Sequence, residues 1–436
     1  MTLSPRVCSV LGRAREIARP RAEGRVRSIR GIAVHVHGLR AAIGDHCVIK
    51  TAGGSAELPA EVVGFDGDDA VVLPLGEQHR IAPWDPVVNE HRPLEVPAGP
   101  ALLGRVVDAL GRPVDGGPPI GGARRAVAGA PPVALERDPI TCPVETGISA
   151  IDAFLTCGKG QRLGIFAGSG VGKSTLLGSI ARGGAAPINV IALIGERGRE
   201  VREFVEGVLG PEGLAKSVVV VCTSDEAPML RVKAPFTAVA IAESFRSQGA
   251  DVLFLMDSVT RYAMAVREVG LAAGEPPTLR GYPPSLFATL PKLVERLGND
   301  GNGSITGMLT VLVDGDDFNE PVSDALRGYL DGHVVLSRQI AQRGRYPAID
   351  VLASVSRLMP SVTTEEHGRR ARRVREWLSL YEQNRDLITV GAYRKGADPA
   401  LDKAVEKLGA IEQLLYHAEP RRMADTLQRL LAIAGD

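Results

Sequence analysis

The spacing of apolar and polar residues divides the chain into stretches with different periods. From about residue 26 to 96, short runs alternate with turn residues: Ile32, Val34 and Val36 interleave with Ala33, His35 and His37, and the run 71–75 follows Gly67-Asp68-Asp69. A period of two broken by turns predicts a small antiparallel β-barrel. From about 150 to 350 the apolar runs are continuous, at 163–166, 189–194, 218–222, 252–256 and 306–313, with helix-length segments between them. That alternation predicts an α/β fold: a parallel sheet covered by helices on both faces. Beyond about 362 the strand-like runs stop, and helical spacing takes over, as in 374–381 and 404–415. A Pro/Gly-rich stretch, 116–132, joins the first region to the second. The expected organisation is therefore a leading segment 1–25, a barrel 26–96, an α/β domain 97–362 and a helical domain 363–436.

The leading segment changes the picture of partners. Arginines at 6, 13, 15, 19, 21, 25, 27 and 30 face only Glu16 and Glu23, while Val7, Val10, Leu11, Ala14, Ile17 and Ala18 recur at helical spacing until Pro20. This basic amphipathic pattern is expected to dock on a regulatory partner, ahead of an anionic membrane, a frayed terminus or a transit peptide. The whole chain balances 51 basic against 51 acidic side chains over 436 residues, with 44% hydrophobic. A net charge of zero argues against a phosphate-tracking nucleic-acid surface. No apolar run has the length of a membrane span. Five scattered cysteines without a Cys-x-x-Cys pair indicate neither a disulfide framework nor zinc, and fit a reducing cytosol.

Residues 167–175 read Ala-Gly-Ser-Gly-Val-Gly-Lys-Ser-Thr between a strand-like and a helix-like run. This is a phosphate-binding loop (P-loop). Gly168, Gly170 and Gly172 let the backbone N–H groups of Ala167, Ser169, Val171 and their neighbours converge on phosphate oxygens, next to a helix N-terminus. Lys173 supplies a cation, and the Ser174 hydroxyl, followed by Thr175, is a ligand for Mg²⁺. Ala167 stands where the strict pattern has Gly. The run 252–256 ends in Asp257, a carboxylate placed to organise Mg²⁺ at a strand end. After the run 190–194, Gly195-Glu196-Arg197 presents a carboxylate to polarise water and a guanidinium to meet the γ-phosphate. The pairs among Arg199, Glu200, Arg202 and Glu203 read instead as a helix-capping ladder. Far downstream, Arg357 ends another β-like segment, and the residues alone favour an internal ion pair for it.

These segments together resemble the catalytic subunits of the rotary F- and V-type ATPase superfamily: the phosphate loop, Gly195 to Glu200, Asp257-Ser-Val-Thr-Arg261-Tyr, residues 347–356, and Leu103-Gly104-Arg105-Val106-Val107-Asp108. Within it, Gly274-Glu275-Pro276-Pro277, Gly281-Tyr282-Pro283-Pro284-Ser285-Leu286-Phe287 and Asn384-Arg385-Asp386-Leu387 resemble the protein-export ATPases of flagellar type III secretion, which also carry Ala at the first loop position. The resemblance implies a RecA-like P-loop core that hydrolyses ATP with Mg²⁺. It implies that Lys173 and Ser174 bind phosphate and metal, Asp257 holds the metal shell and Glu196 activates water. Tyr346, and less directly Tyr393, are implied as the aromatics that flank adenine. For Arg357 the resemblance reverses the internal-pair reading and implies an arginine finger supplied to a neighbouring subunit, hence a homohexamer. It further implies a cytoplasmic ring at the membrane export gate, with a central stalk protein, export substrates and chaperones as partners. A virulence-type secretion ATPase, a subunit of an ion-translocating ATP synthase and a ring RNA translocase are the alternatives. The translocase is disfavoured because the barrel region has only Phe65 and Trp84 for base stacking.

Overall fold

A computed structural model describes residues 23–51, 57–313, 317–417 and 419–435; the basic segment up to residue 22 lies outside the described residues. The chain forms two compact units: one holds the residues up to Leu94 with Ala272–Gly274, and the other the remainder.

In the first unit, six strands close into an antiparallel barrel: β1 (Glu23–Arg30), β2 (Ala33–His37), β3 (His46–Lys50), β4 (Glu57–Asp66), β5 (Asp69–Pro74) and β6 (Pro86–Asn89). They run in the order β1-β2-β5-β4-β3-β6, with β6 returning to β1. Alternate side chains point inward, so Val26, Val34, Val36, Ile49, Val62, Val72 and Val87 fill the interior. The two-residue period expected from the sequence is this inside-outside alternation.

The second unit is built on a sheet whose main strands are β7 (Val106–Val107), β8 (Arg162–Ala167), β9 (Ile188–Glu196), β10 (Ser217–Thr223), β11 (Asp251–Asp257), β12 (Ser304–Leu312), β13 (Gly332–Leu336) and β14 (Ile349–Ser356). Their spatial order is β14-β13-β8-β12-β11-β9-β10-β7. All neighbours along this path are parallel except the edge pair β13–β14. β9 and β10 are buried along nearly their whole length, which is why their sequences carry no polar alternation. The helices used below are α1 (Lys173–Gly183), α2 (Pro228–Arg246), α3 (Val259–Ala272), α4 (Glu365–Thr389), α5 (Pro399–Leu415) and α6 (Met423–Ala434).

The C-terminal helices share a core with the sheet. Val374 of α4, Ile411 and Leu414 of α5 and Leu430 of α6 are buried in one cluster with Ile151, Ile165 and Leu177. Two of these helices begin on side-chain caps: Thr364 accepts from the His367 N–H (3.2 Å), and Asp398 from the N–H groups of Ala400 and Leu401 (2.8 and 3.3 Å). Apart from Ala272–Gly274, the 97–362 and 363–436 segments expected from the sequence thus share a single compact unit. Among the described residues no helix is long and apolar enough to cross a membrane.

Candidate active site

β8, β11 and β9 all end at the same edge of the parallel sheet, and the residues at and just beyond those three ends form the site. β8 leads from Ala167, buried between Leu312 and Leu336 of its neighbours, into the loop 168–172. Val171 is buried and pins the loop, while Ser169 and Gly170 are exposed. Gly172 sits at the N-cap of α1 with φ +87°, a left-handed conformation that a side chain would strain. The turn there delivers Lys173, Ser174 and Thr175 as the first residues of the helix, where N–H groups have no partner within the helix itself.

Two strands away, Asp257 closes β11. Its carboxylate is 2% exposed; Oδ1 accepts from Lys173 Nζ at 2.5 Å, and Oδ2 lies 3.4 Å from the Ser174 hydroxyl. The Thr310 hydroxyl, on the intervening strand β12, lies 3.0 Å from Asp257 Oδ1 and 3.1 Å from the Met256 carbonyl. One strand further, Glu196 ends β9, 3.9 Å from Lys173 Nζ through Oε1. The register of β9 against β10 slips between Ile194 and Glu196, with Gly195 at φ +70°. A Cβ at Gly195 would lie 2.9 Å from Cβ of Arg261, so only glycine lets the strand bulge against that side chain and turn Glu196 toward Lys173.

Glu196 carries the electrostatic signature of the site. Burial pushes its carboxyl up to about 7, the Asp257 charge pushes the same way, and a hydrogen bond with Glu200 adds to both, against the pull of Lys173 and Arg261. A carboxyl poised near neutrality beside a lysine and a second carboxylate can exchange a proton at ordinary pH.

The remaining sequence-predicted residues fall in several places. The Tyr346 ring lies over the phosphate loop, 3.4 Å from where a Cβ of Gly172 would be, and is 48% exposed. Arg197 points to solvent, its nearest carboxylate being Glu200 at 3.9 Å. Of the ladder expected among Arg199, Glu200, Arg202 and Glu203, Arg199 meets Glu203 at 3.8 Å, whereas Arg202 pairs with Glu206 at 2.9 Å. Tyr393 is bonded within its own segment, its hydroxyl to Asp402 Oδ1 at 2.7 Å. Arg357 follows edge strand β14 and is exposed; its guanidinium donates to the Arg327 carbonyl (3.2 Å), with no carboxylate in ion-pair range among the described residues. The internal ion pair favoured by the residues alone is therefore absent from the described structure.

Two residues were given no role from the sequence. Arg261 packs on the bare backbone of Gly195 beside Glu196, and its buried Nε has no hydrogen-bond partner among the described residues. Its position in the first turn of the helix that follows Asp257 was the available signal. Thr310 left none, because only the pairing of β12 with β11 brings it to Asp257.

The profile of the ATP synthase alpha/beta family, nucleotide-binding domain, matches residues 147–356, and that of the T3SS EscN ATPase C-terminal domain matches 363–432. The chain is 48% identical to a flagellum-specific ATP synthase of Bacillus subtilis (strain 168), over 95% of each chain. It is 47% identical to a type 3 secretion system ATPase of Xanthomonas euvesicatoria, over 95% of this chain and 94% of the relative. The solved structure of the assembled ATPase EscN from the type III secretion system of enteropathogenic E. coli superposes with a TM-score of 0.88 at 42% identity, covering 94% of this chain and 100% of that one. EscN in complex with its central stalk EscO gives the same values.

Proposed function

This chain belongs to the family of flagellum-specific ATP synthases and type III secretion ATPases, and on that basis we propose that it hydrolyses ATP to energise export of flagellar proteins. The observation that carries the proposal is the Lys173–Asp257–Glu196 cluster at the mouth of the phosphate loop, with contacts of 2.5 and 3.9 Å.

In this reading the loop amides and Lys173 hold the terminal phosphates, and Tyr346 stacks on the base. Glu196, deprotonated, orients and polarises the attacking water, while Arg261 supplies positive charge next to it. Tyr393 is assigned to the adenine side with less support, since its hydroxyl is engaged by Asp402. The residues also suit Mg²⁺: a hydroxyl and a carboxylate 3.4 Å apart are hard oxygen donors, and the 2.5 Å contact of the Lys173 ammonium with Asp257 marks where a cation is favoured. Ser174 and Asp257 would hold that ion, which when bound neutralises phosphate charge. Arg357, exposed and without a carboxylate partner among the described residues, is free to act on a neighbouring subunit, so the working form is a homohexamer. Arg197 is assigned to phosphate only in that assembled state.

A central stalk, export substrates with their chaperones, a regulatory partner for the basic segment and the membrane export gate complete the proposed cytoplasmic setting. The decisive test is Glu196→Gln. It should abolish ATP hydrolysis while nucleotide still binds; substantial turnover would remove the water-activating role. A strain lacking the gene should lose flagella, and normal motility with lost secretion of other proteins would move the assignment to the virulence type.

A further inference from the structure

At the edge of the sheet opposite the phosphate loop, residues 98–101, residues 121–125 and the end of α2 line an open cavity of about 500 Å³. The separation is set by the topology. Ser247 and Gln248 line the cavity just before β11 begins at Asp251, whereas Asp257 lies at the other end of that strand. At about 3.3 Å per residue, the seven-residue strand keeps the two places roughly 20 Å apart.

The charges around the cavity are unequal. Glu243, 3% exposed, is held by Arg296 through two hydrogen bonds of 2.8 Å, Nε to Oε1 and Nη2 to Oε2. That fork-to-fork pair is complete. Arg125 shares the same carboxylate, reaching Oε2 at 3.2 Å. One buried carboxylate thus faces two guanidiniums, and Arg125, 38% exposed, is the one that lines the cavity. Arg124 lines it too; it donates to the Glu95 carbonyl at 2.6 Å, with the Glu95 carboxylate 4.0 Å away. No Asp or Glu is among the described residues that line the cavity; the rest are Gly, Ala, Pro, Ser and Gln. A guanidinium has five N–H donors, and the bond to Glu243 uses one of Arg125's.

We propose that this cavity is a binding site for a small oxyanion, phosphate or a carboxylate, held by Arg125 with Arg124. An oxyanion would complete the charge that Glu243 leaves unmatched; the lining itself carries no carboxylate, and the two behind it, Glu243 and Glu95, are each paired with an arginine. The site does not depend on the ATPase assignment.

The test is calorimetric titration of the full chain with inorganic phosphate, and separately with succinate, in saturating ADP so that the phosphate loop is filled. Binding of either ligand is expected, weakened at least tenfold by Arg125→Gln and retained in Lys173→Ala. Ser247→Asp, which adds a carboxylate at the rim and leaves the Arg125–Glu243–Arg296 cluster intact, should weaken it similarly and serves where Arg125→Gln fails to fold. Binding of neither ligand, or binding lost in Lys173→Ala but unchanged in Arg125→Gln and Ser247→Asp, overturns the proposal.

Discussion

Glu196 is the proposed water-activating residue, and in that role its protonation sets a pH dependence with a definite sign. Its carboxyl is raised to about 7 by burial and by Asp257. A water-polarising base works only when ionised, so kcat/KM for ATP should rise with pH through about 7 and level off above it, since kcat/KM reports the free enzyme. A flat profile between about pH 6 and 8 would contradict the assignment. Stability should run the other way. Because the folded pKa lies above the ordinary value, the folded chain holds the proton between about 4.5 and 7, and the stability tied to this group falls as pH rises through that window. Glu196→Gln should flatten that part of a melting-temperature profile. Thr310 offers a second residue-scale test. Thr310→Val removes the hydroxyl 3.0 Å from Asp257 and should lower kcat/KM by about tenfold, the scale of a lost hydrogen bond to a charged group, with the fold intact by circular dichroism.

The decisive local feature at the scale of elements is the bulge that ends β9. Gly195→Ala places a Cβ 2.9 Å from Arg261 at φ +70°, so strand and side chain cannot both stay in place. Hydrolysis should fall by more than about tenfold while ADP affinity, set by the phosphate loop, changes little; equal activity by steady-state assay would show that the bulge does not aim Glu196. The strands that carry the site were legible as apolar runs: 163–166, 189–194, 218–222 and 252–256 fall within β8, β9, β10 and β11. Such runs announce a strand buried on both faces and, through the Gly-rich loop, mark where phosphate sits. They carry no record of strand order. The approach of Thr310 and the packing of Arg261 against Gly195 depend on that order, and so escaped a reading of spacing alone.

For the whole molecule, the exposed Arg357 after an edge strand is proposed to meet a neighbouring chain. Arg357→Ala should suppress turnover of the assembled form, by about 10³ or more if it stabilises transferring phosphate, and leave the isolated chain's nucleotide affinity nearly unchanged. Mass measurement with and without an ATP analogue should give a hexamer in the nucleotide-bound sample. Full activity in Arg357→Ala would reduce its role to the bond with the Arg327 carbonyl.

The sequence by itself determined which segments become strands and helices, where the phosphate loop lies, and which carboxylates end the strands beside it. Periodicity and glycine spacing are local properties, and local physics reads them directly. Only the tertiary structure decided that Asp257 and Glu196 both lie within 3.9 Å of Lys173, that Arg357 finds no carboxylate among the described residues, and that one buried Glu243 faces two arginines from distant segments. Those outcomes come from strand order and from what burial does to charge, and neither is written at any one position of the chain.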